Sequence, residues 1–360
     1  MTKPQIFLLC APVGSGKTTI LHKFCSPENC SGILSPKIEG VRYFQNIANG
    51  ELIKMDADSG IQIGKHTFSE EAFKRAEKIL EDEISSDKEW LIIDEIGPLE
   101  IRKNAGFYEI LSKILRSNYT GQIKILIVVR DFLAQEFIQK FELNNAKILP
   151  LKFFTERFSD EQPNRFPLGI VLAGGESSRM KTDKALLKYS GKPQWKRVKD
   201  LLSPLCSEVI ISVNKNQMKS WTGDYPDENF LADDQKFAGN GPITALLTAA
   251  EKFPDRTFFV AGIDYPLLEL QHLITLNNIR TSNSEAVCFE KNGFTEPLIS
   301  VIEDKALRNM QEYFAAGNTS VKKFLESLKL EKLAPENSDF LTNINSSEDF
   351  ANFTKNRNDR

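Results

Sequence analysis

The sequence predicts two α/β domains in tandem, each built from strands and helices that alternate around a parallel sheet. Three observations carry that prediction. Gln5-Ile-Phe-Leu-Leu-Cys10 is a short apolar run that leads directly into the glycine-rich Ala11-Pro-Val-Gly-Ser-Gly-Lys-Thr-Thr19. A second apolar run, Leu168-Gly-Ile-Val-Leu172, ends as abruptly in Ala173-Gly-Gly175. Between them, residues 155–167 lose all periodicity and gather Pro, Asn, Asp and Ser, the composition of a connecting segment. A chain of 360 residues has room for two cores at roughly 150 residues per domain. The expected division is therefore 1–154, a linker at 155–167, and 168–360.

In the first domain the strand at 5–10 is followed by Gly14-Ser-Gly-Lys-Thr18, the strand, loop and helix order of a phosphate-binding loop. Glycine lets backbone N–H groups close on phosphate oxygens, and a helix starting near Thr18 turns its positive end toward the anion. On that pattern Gly14, Ser15, Gly16, Lys17, Thr18 and Thr19 bind a nucleotide, with Lys17 on the terminal phosphates and Thr18 on Mg2+. Ala11 stands where the usual pattern has its first glycine. Ser69 to Ile84 places Ala72, Phe73, Ala76, Ile79, Leu80 and Ile84 at helical spacing behind a Ser69 N-cap, which reads as a core-packing helix. Glu89-Trp-Leu-Ile-Ile-Asp-Glu95 reads as a buried strand ending in two acids. Hydrolysis needs a metal-holding acid and a group to position water, so Asp94 is assigned to the magnesium shell and Glu95 to the general base. Ile123 to Val129 is a further strand; Arg130 closes it, either as a phosphate sensor or as an ordinary solvated strand end.

In the second domain Leu168–Leu172, Glu208–Val213 and Thr257–Ala261 read as buried strands, and 194–205 and 241–253 as helices. That alternation places a site at the carboxyl ends of the strands. Gly174, Asn214, Asp234 and Asp264 fall there. Gly174-Gly175, with Arg179 and Lys184 beyond, suits a chain of phosphates, because the glycines expose amides and the cations offset charge. Asp264, between Phe258–Ile263 and Tyr265-Pro266, is held at a strand end and suits magnesium at the α-phosphate of a nucleotide.

Longer stretches carry two resemblances. Gly32-Ile-Leu-Ser-Pro36, Val41-Arg-Tyr-Phe44, Gly64-Lys-His-Thr-Phe68 with Glu71-Ala-Phe73, and Asp94-Glu-Ile-Gly-Pro-Leu-Glu100 resemble the thermophile-type nucleoside-triphosphatase family over about residues 4–150. The resemblance implies a RecA-like P-loop fold and slow magnesium-dependent hydrolysis of ATP or GTP. Leu172-Ala-Gly-Gly-Glu-Ser-Ser-Arg-Met180, Asp183-Lys-Ala-Leu-Leu187, Gly191-Lys-Pro193 with Trp195, Asp234 with Gly241-Pro242, Ile263-Asp-Tyr-Pro266, Glu296-Pro-Leu298 and Asn343-Ile-Asn345 resemble the molybdenum cofactor guanylyltransferases over 168 to about 352. This second resemblance implies a Rossmann-like, MobA-like nucleotidyltransferase fold of the nucleotide-diphospho-sugar-transferase type. It further implies transfer of GMP from GTP to molybdopterin or a similar phosphorylated small molecule, with molybdoenzymes or their chaperones as protein partners. By that resemblance Leu172, Ala173, Gly174, Gly175, Lys184, Asn214 and Asp234 would bind GTP, joined by Arg179 as a cation on the phosphates; Lys184 and Asp264 would be catalytic, and Asp264 would hold Mg2+ with Asn345 beside it. The Leu-Ala-Gly-Gly form points to GTP over CTP. Two other readings stay open: a transferase of the same fold using CTP or another phosphorylated acceptor, and a regulatory protein whose active half is the P-loop domain.

Composition excludes several classes. The chain is 41% hydrophobic and 26% charged with a net charge of −3, which argues against a general nucleic-acid binder, since such proteins carry a basic excess. Its five cysteines, Cys10, Cys25, Cys30, Cys206 and Cys288, form no Cys-x-x-Cys pair, and three histidines supply no matching cluster. Reduced thiols in a cytoplasmic protein are the expectation. The apolar residues 5–13 meet Gly14 and Lys17 at once, so neither a signal peptide nor a membrane span is expected.

Overall fold

The computed structural model describes residues 3–63, 66–84, 86–117, 119, 123–155, 166–174, 183–188, 191–344 and 349. Two compact units account for the chain, Met1–Phe158 and Ser159–Arg360. Residues 156–165 of the expected linker, Phe158 among them, lie outside the described residues.

The strands of the first unit are β1 Gln5–Ala11, β2 Cys30–Leu34, β3 Lys37–Ile38, β4 Val41–Asn46, β5 Leu52–Lys54, β6 Asp56–Ile63, β7 His66–Phe68, β8 Trp90–Ile96, β9 Lys124–Arg130 and β10 Lys147–Leu149. Five of them lie side by side and parallel in the order β10, β1, β9, β8, β2. Their apolar runs are continuous because a parallel sheet is covered on both faces: Leu8, Leu9, Cys10 and Ala11 in β1 and Leu91, Ile92 and Ile93 in β8 are fully buried. β4 and β3 extend the sheet antiparallel beyond β2, and β5 pairs with β4.

Since β9 lies between β1 and β8, its register sets what meets at their carboxyl ends. Ala11 pairs with Arg130 on one side, and Ile96 with Val129 on the other. β2 fits against β8 only through Gly32, whose φ is +102° and whose added Cβ would lie 2.1 Å from the Ile92 carbonyl oxygen. The helix Glu70–Glu83 starts where expected, with Ser69 Oγ accepting the Ala72 N–H at 3.1 Å. Ala72, Phe73, Ala76 and Leu80 are buried as expected. Ile79 and Ile84, also expected in the core, are half-buried, because at about 100° per residue they fall on the two flanks of that stripe. Phe153 and Phe154 pack on Phe24, with ring centroids 6.2 and 5.2 Å away.

The second unit contributes β11 Leu168–Leu172, β12 Glu208–Val213, β13 Phe230–Ala232, β14 Phe258–Gly262, β15 Ala286–Lys291, β16 Phe294–Ile302 and β17 Leu330–Leu333. They form one sheet in the order β13, β12, β11, β14, β16, β15, β17, in which only β16 runs antiparallel to its neighbours. β11 is flanked on both sides by parallel strands, so its end opens between the ends of β12 and β14. On one side a core of Ile170, Ile210, Leu246, Val260 and Phe324 fills in. Elsewhere the helix Gln194–Leu202 places Trp195, fully buried, against Trp221 and Tyr225 at 5.7 and 5.1 Å between ring centroids.

Candidate functional site

The loop after β1 has the backbone that its glycines were expected to supply. Gly14 and Gly16 have φ of +80° and +82°, a conformation that strains any residue with a Cβ. Gly16 is the N-cap of the helix Lys17–Phe24, so Thr18 and Thr19 stand in its first turn. Lys17 is buried, and its ammonium donates to the carbonyls of Ala11 and Pro12 at 2.9 and 3.0 Å, strapping the loop into a ring. Ser15 Oγ is buried without a hydrogen-bond partner.

Asp94 reaches this loop from the end of β8. Its Oδ2 accepts the Thr18 hydroxyl at 2.9 Å and the Ser35 N–H at 3.0 Å, and Ser35 Oγ donates to the Asp94 carbonyl. The carboxylate is fully buried, and its Oδ1 has no partner. Burial pushes the Asp94 carboxyl up to about 6, against the lowering effect of the Ser35 amide. A buried, unpartnered carboxylate oxygen beside a threonine hydroxyl is a donor set for a hard cation, and Mg2+ takes one or two carboxylates with phosphate oxygens and water. Thr18 and Asp94 therefore fit the magnesium expected of them. Among the described residues no group of three or more His, Cys, Asp or Glu gathers elsewhere in metal-binding fashion.

Glu95 is not left to water. Arg130 Nε donates to its Oε1 at 2.9 Å, and a Cβ on Gly97 would sit 3.9 Å from the same guanidinium. The turn beyond is held by Glu100, which accepts the N–H groups of Gly97 and Phe107 at 3.0 and 3.3 Å. Its burial raises that carboxyl to about 7. Sequence reasoning gave no role to Ser35 or Glu100; only their places in the quoted Gly32–Pro36 and Asp94–Glu100 stretches marked them.

The second unit has a cavity of about 610 Å³ at the carboxyl ends of β11, β12 and β14, lined by Leu172, Gly174, Lys184, Ser212, Asn214 and Asp264 among others. Lys184 Nζ lies 3.3 Å from Asp264 Oδ1, joining residues 80 positions apart. A Cβ on Gly174 would stand 3.1 Å from the Val213 carbonyl carbon and 3.2 Å from the Asn214 nitrogen, so a side chain there would press on β12. Asn214 caps the helix Lys215–Asp224, and its Nδ2 donates to the Gly174 carbonyl at 3.4 Å. Gln217 Nε2 donates to the Ala173 carbonyl and to Asp183 Oδ2 at 3.0 and 2.9 Å, which ties together the two described ends of the glycine loop.

Two members of the expected set behave differently. Ala173 is buried, and its backbone is spent on Ser212 and Gln217. Asp234 caps the turn Gln235–Phe237 by accepting the Lys236 N–H at 3.0 Å and is not among the residues lining the cavity. Its neighbour Asp233 lines it instead, accepting the Ser212 hydroxyl at 3.1 Å, with its carboxyl raised by burial. Gly175, Arg179 and Asn345 lie outside the described residues. Behind Asp264, the Ile344 N–H donates to its carbonyl at 3.0 Å, and buried Tyr265 donates its hydroxyl to Glu296.

Comparison with known proteins agrees with this division. Residues 169–333 match the family model described as MobA-like NTP transferase domain, and residues 6–155 the one described as NTPase. A Thermococcus sibiricus protein named "Probable molybdenum cofactor guanylyltransferase" is 31% identical over 193 residues, covering 51% of this chain and 94% of that one. A Pseudomonas putida molybdenum cofactor guanylyltransferase is 28% identical over 181 residues, covering 50% and 93%. The molybdenum cofactor biosynthesis bifunctional protein of Synechocystis is 30% identical over 184 residues, and the chain spans about half, 52%, of its length. The chain belongs to the MobA-like NTP transferase family through its second unit, while its first unit carries the match to the NTPase family model.

Proposed function

We propose that the second unit is a molybdenum cofactor guanylyltransferase, moving GMP from GTP to molybdopterin with release of pyrophosphate, and that the first unit hydrolyses ATP or GTP. The transferase reading is supported above all by Lys184 and Asp264 meeting at 3.3 Å in a cavity walled by Gly174 and Asn214. A phosphate oxygen of molybdopterin attacks the α-phosphorus of GTP; one P–O bond forms, and the bond to the departing pyrophosphate breaks. Both reactants are anions, so the barrier is charge repulsion and alignment, and no covalent enzyme intermediate is needed. Lys184 supplies opposing charge, and the bare Gly174 leaves its backbone open to the phosphates. Asp264 offers one hard oxygen donor, which suits Mg2+ shared with the nucleotide; when bound, the ion neutralises phosphate charge. Gly175, Arg179 and Asn345 join this site by the family pattern. Molybdoenzymes or their chaperones follow as the proteins that would take the product.

In the first unit Lys17 would meet the terminal phosphates, Thr18 and Asp94 would hold Mg2+, and Glu95 would accept the proton of the attacking water. The decisive assay offers the full chain molybdopterin and each nucleoside triphosphate in turn with Mg2+, and identifies the product by mass. A guanine dinucleotide is expected. Asp264→Asn should lower its formation by about 100-fold or more while thermal unfolding stays unchanged; undiminished product would overturn the assignment.

A further inference from the structure

The Glu95–Arg130 pair has no role in a plain account of hydrolysis, since it ties the general base to a cation. The pair lies at the carboxyl ends of β8 and β9, next to the strand from which the phosphate loop leaves. Arg130 stands beside Ala11, the residue from which the phosphate loop leaves β1, and its Nε is 2.9 Å from Glu95 Oε1 at the tip of β8. Its guanidinium lies over Gly97, a backbone with no side chain to wedge it in place. Both side chains keep access to solvent, 36% for Arg130 and 28% for Glu95. Adjoining Asp94 is gripped by Thr18 and Ser35 and fully buried, so of the two acids it is Glu95 whose partner is a solvent-accessible cation.

We propose that Arg130 is a latch on Glu95, resting on the reading of the first unit as a triphosphate hydrolase. With no triphosphate present the guanidinium holds the carboxylate. An arriving γ-phosphate, with more charge and more acceptor oxygens than one carboxylate, takes the guanidinium and leaves Glu95 free. Water then attacks the γ-phosphorus, the bond to the bridging oxygen of the diphosphate breaks, and Glu95 accepts the proton of the water. The base is thereby withheld until there is a phosphate to attack. A diphosphate, which has no γ-phosphate, leaves the latch closed.

The test is a binding titration of the full chain in Mg2+ with β,γ-imido analogues of ATP and GTP and with ADP and GDP. The Lys17→Ala chain serves as the blank that isolates binding by the second unit. Glu95→Gln removes the competitor, so the analogue should bind about threefold tighter, the factor an exposed ion pair is worth, while diphosphate affinity stays the same. Arg130→Ala should weaken the analogue about tenfold, the loss expected for a charge-assisted hydrogen bond, again sparing the diphosphate. In the Arg130→Ala background, Glu95→Gln should then give no tightening. Equal tightening in both backgrounds would show that only removal of a negative charge matters, and would overturn the latch while leaving the hydrolase reading intact. Absence of analogue binding above the Lys17→Ala blank would overturn both.

Discussion

Asp94 occupies surroundings that oppose its own charge, and the consequence can be measured. Its carboxyl is raised from 3.8 to about 6 by burial. For an acid whose folded-state value is raised, the stability it contributes is present below pH 3.8 and is lost as pH climbs through 6. A rise from 3.8 to about 6 corresponds to about 3 kcal/mol. Without Mg2+ or nucleotide, Asp94→Asn should therefore stabilise the first unit by about 1–3 kcal/mol at pH 8, with the gain shrinking toward zero near pH 4; denaturant titrations at the two pH values check this. The same variant should lose magnesium-dependent hydrolysis. At this scale the sequence was informative where function is contiguous: Gly14 to Thr18 forms one loop in both readings. Ser35 escaped notice because it arrives from another strand, 59 residues from Asp94. Asp233 and Asp234 are adjacent acids, and only the phase of the chain as it leaves β13 decides that the first lines the cavity while the second caps a turn. Nothing in the order of two identical residues announces that phase.

Among the elements, the helix Gln194–Leu202 is anchored by one large side chain. Trp195 is fully buried between Trp221, Tyr225 and Phe230, and its indole N–H has no partner. Trp195→Ala should cost about 3–5 kcal/mol through the cavity it leaves. Trp195→Phe should cost less than about 1.5 kcal/mol, since it keeps the ring packing and removes an orphaned donor. Chemical denaturation followed by far-ultraviolet circular dichroism separates the two outcomes. Elements with continuous apolar runs, such as β11 and β8 from Trp90 to Ile93, were readable because burial on both faces favours apolar residues at every position of the run. β6, with the sequence Asp-Ala-Asp-Ser-Gly-Ile-Gln-Ile, and the β15–β16 pair were not read as strands. β6 carries four polar side chains in eight residues, and β16 contains Pro297, which weighs against a strand until a bulge in β16 itself, opposite the step from Cys288 to Phe289, accommodates it.

For the molecule as a whole, each unit gathers its candidate site at the carboxyl ends of its own parallel strands. Lys17→Ala should accordingly abolish nucleotide hydrolysis and leave guanylyl transfer within about twofold of the parent, while Asp264→Asn should do the reverse. Parallel phosphate-release and dinucleotide-formation assays on the two variants read both outcomes. The two-part plan was legible because each half announces itself with a strand that ends in glycine. What binds the chemistry together within each half, from Ser35 on Asp94 to Gln217 on the glycine loop, depends on strand order and was not. Gly32 shows where this leads. A single methyl group there would collide with the Ile92 carbonyl, and the strand it would push aside ends next to Ser35, the residue that orients Asp94. A saturation screen scored on hydrolysis would thus mark Gly32 as though it were catalytic, although what it meets is the backbone of Ile92, and a map of the active site drawn from such a screen would extend one strand too far.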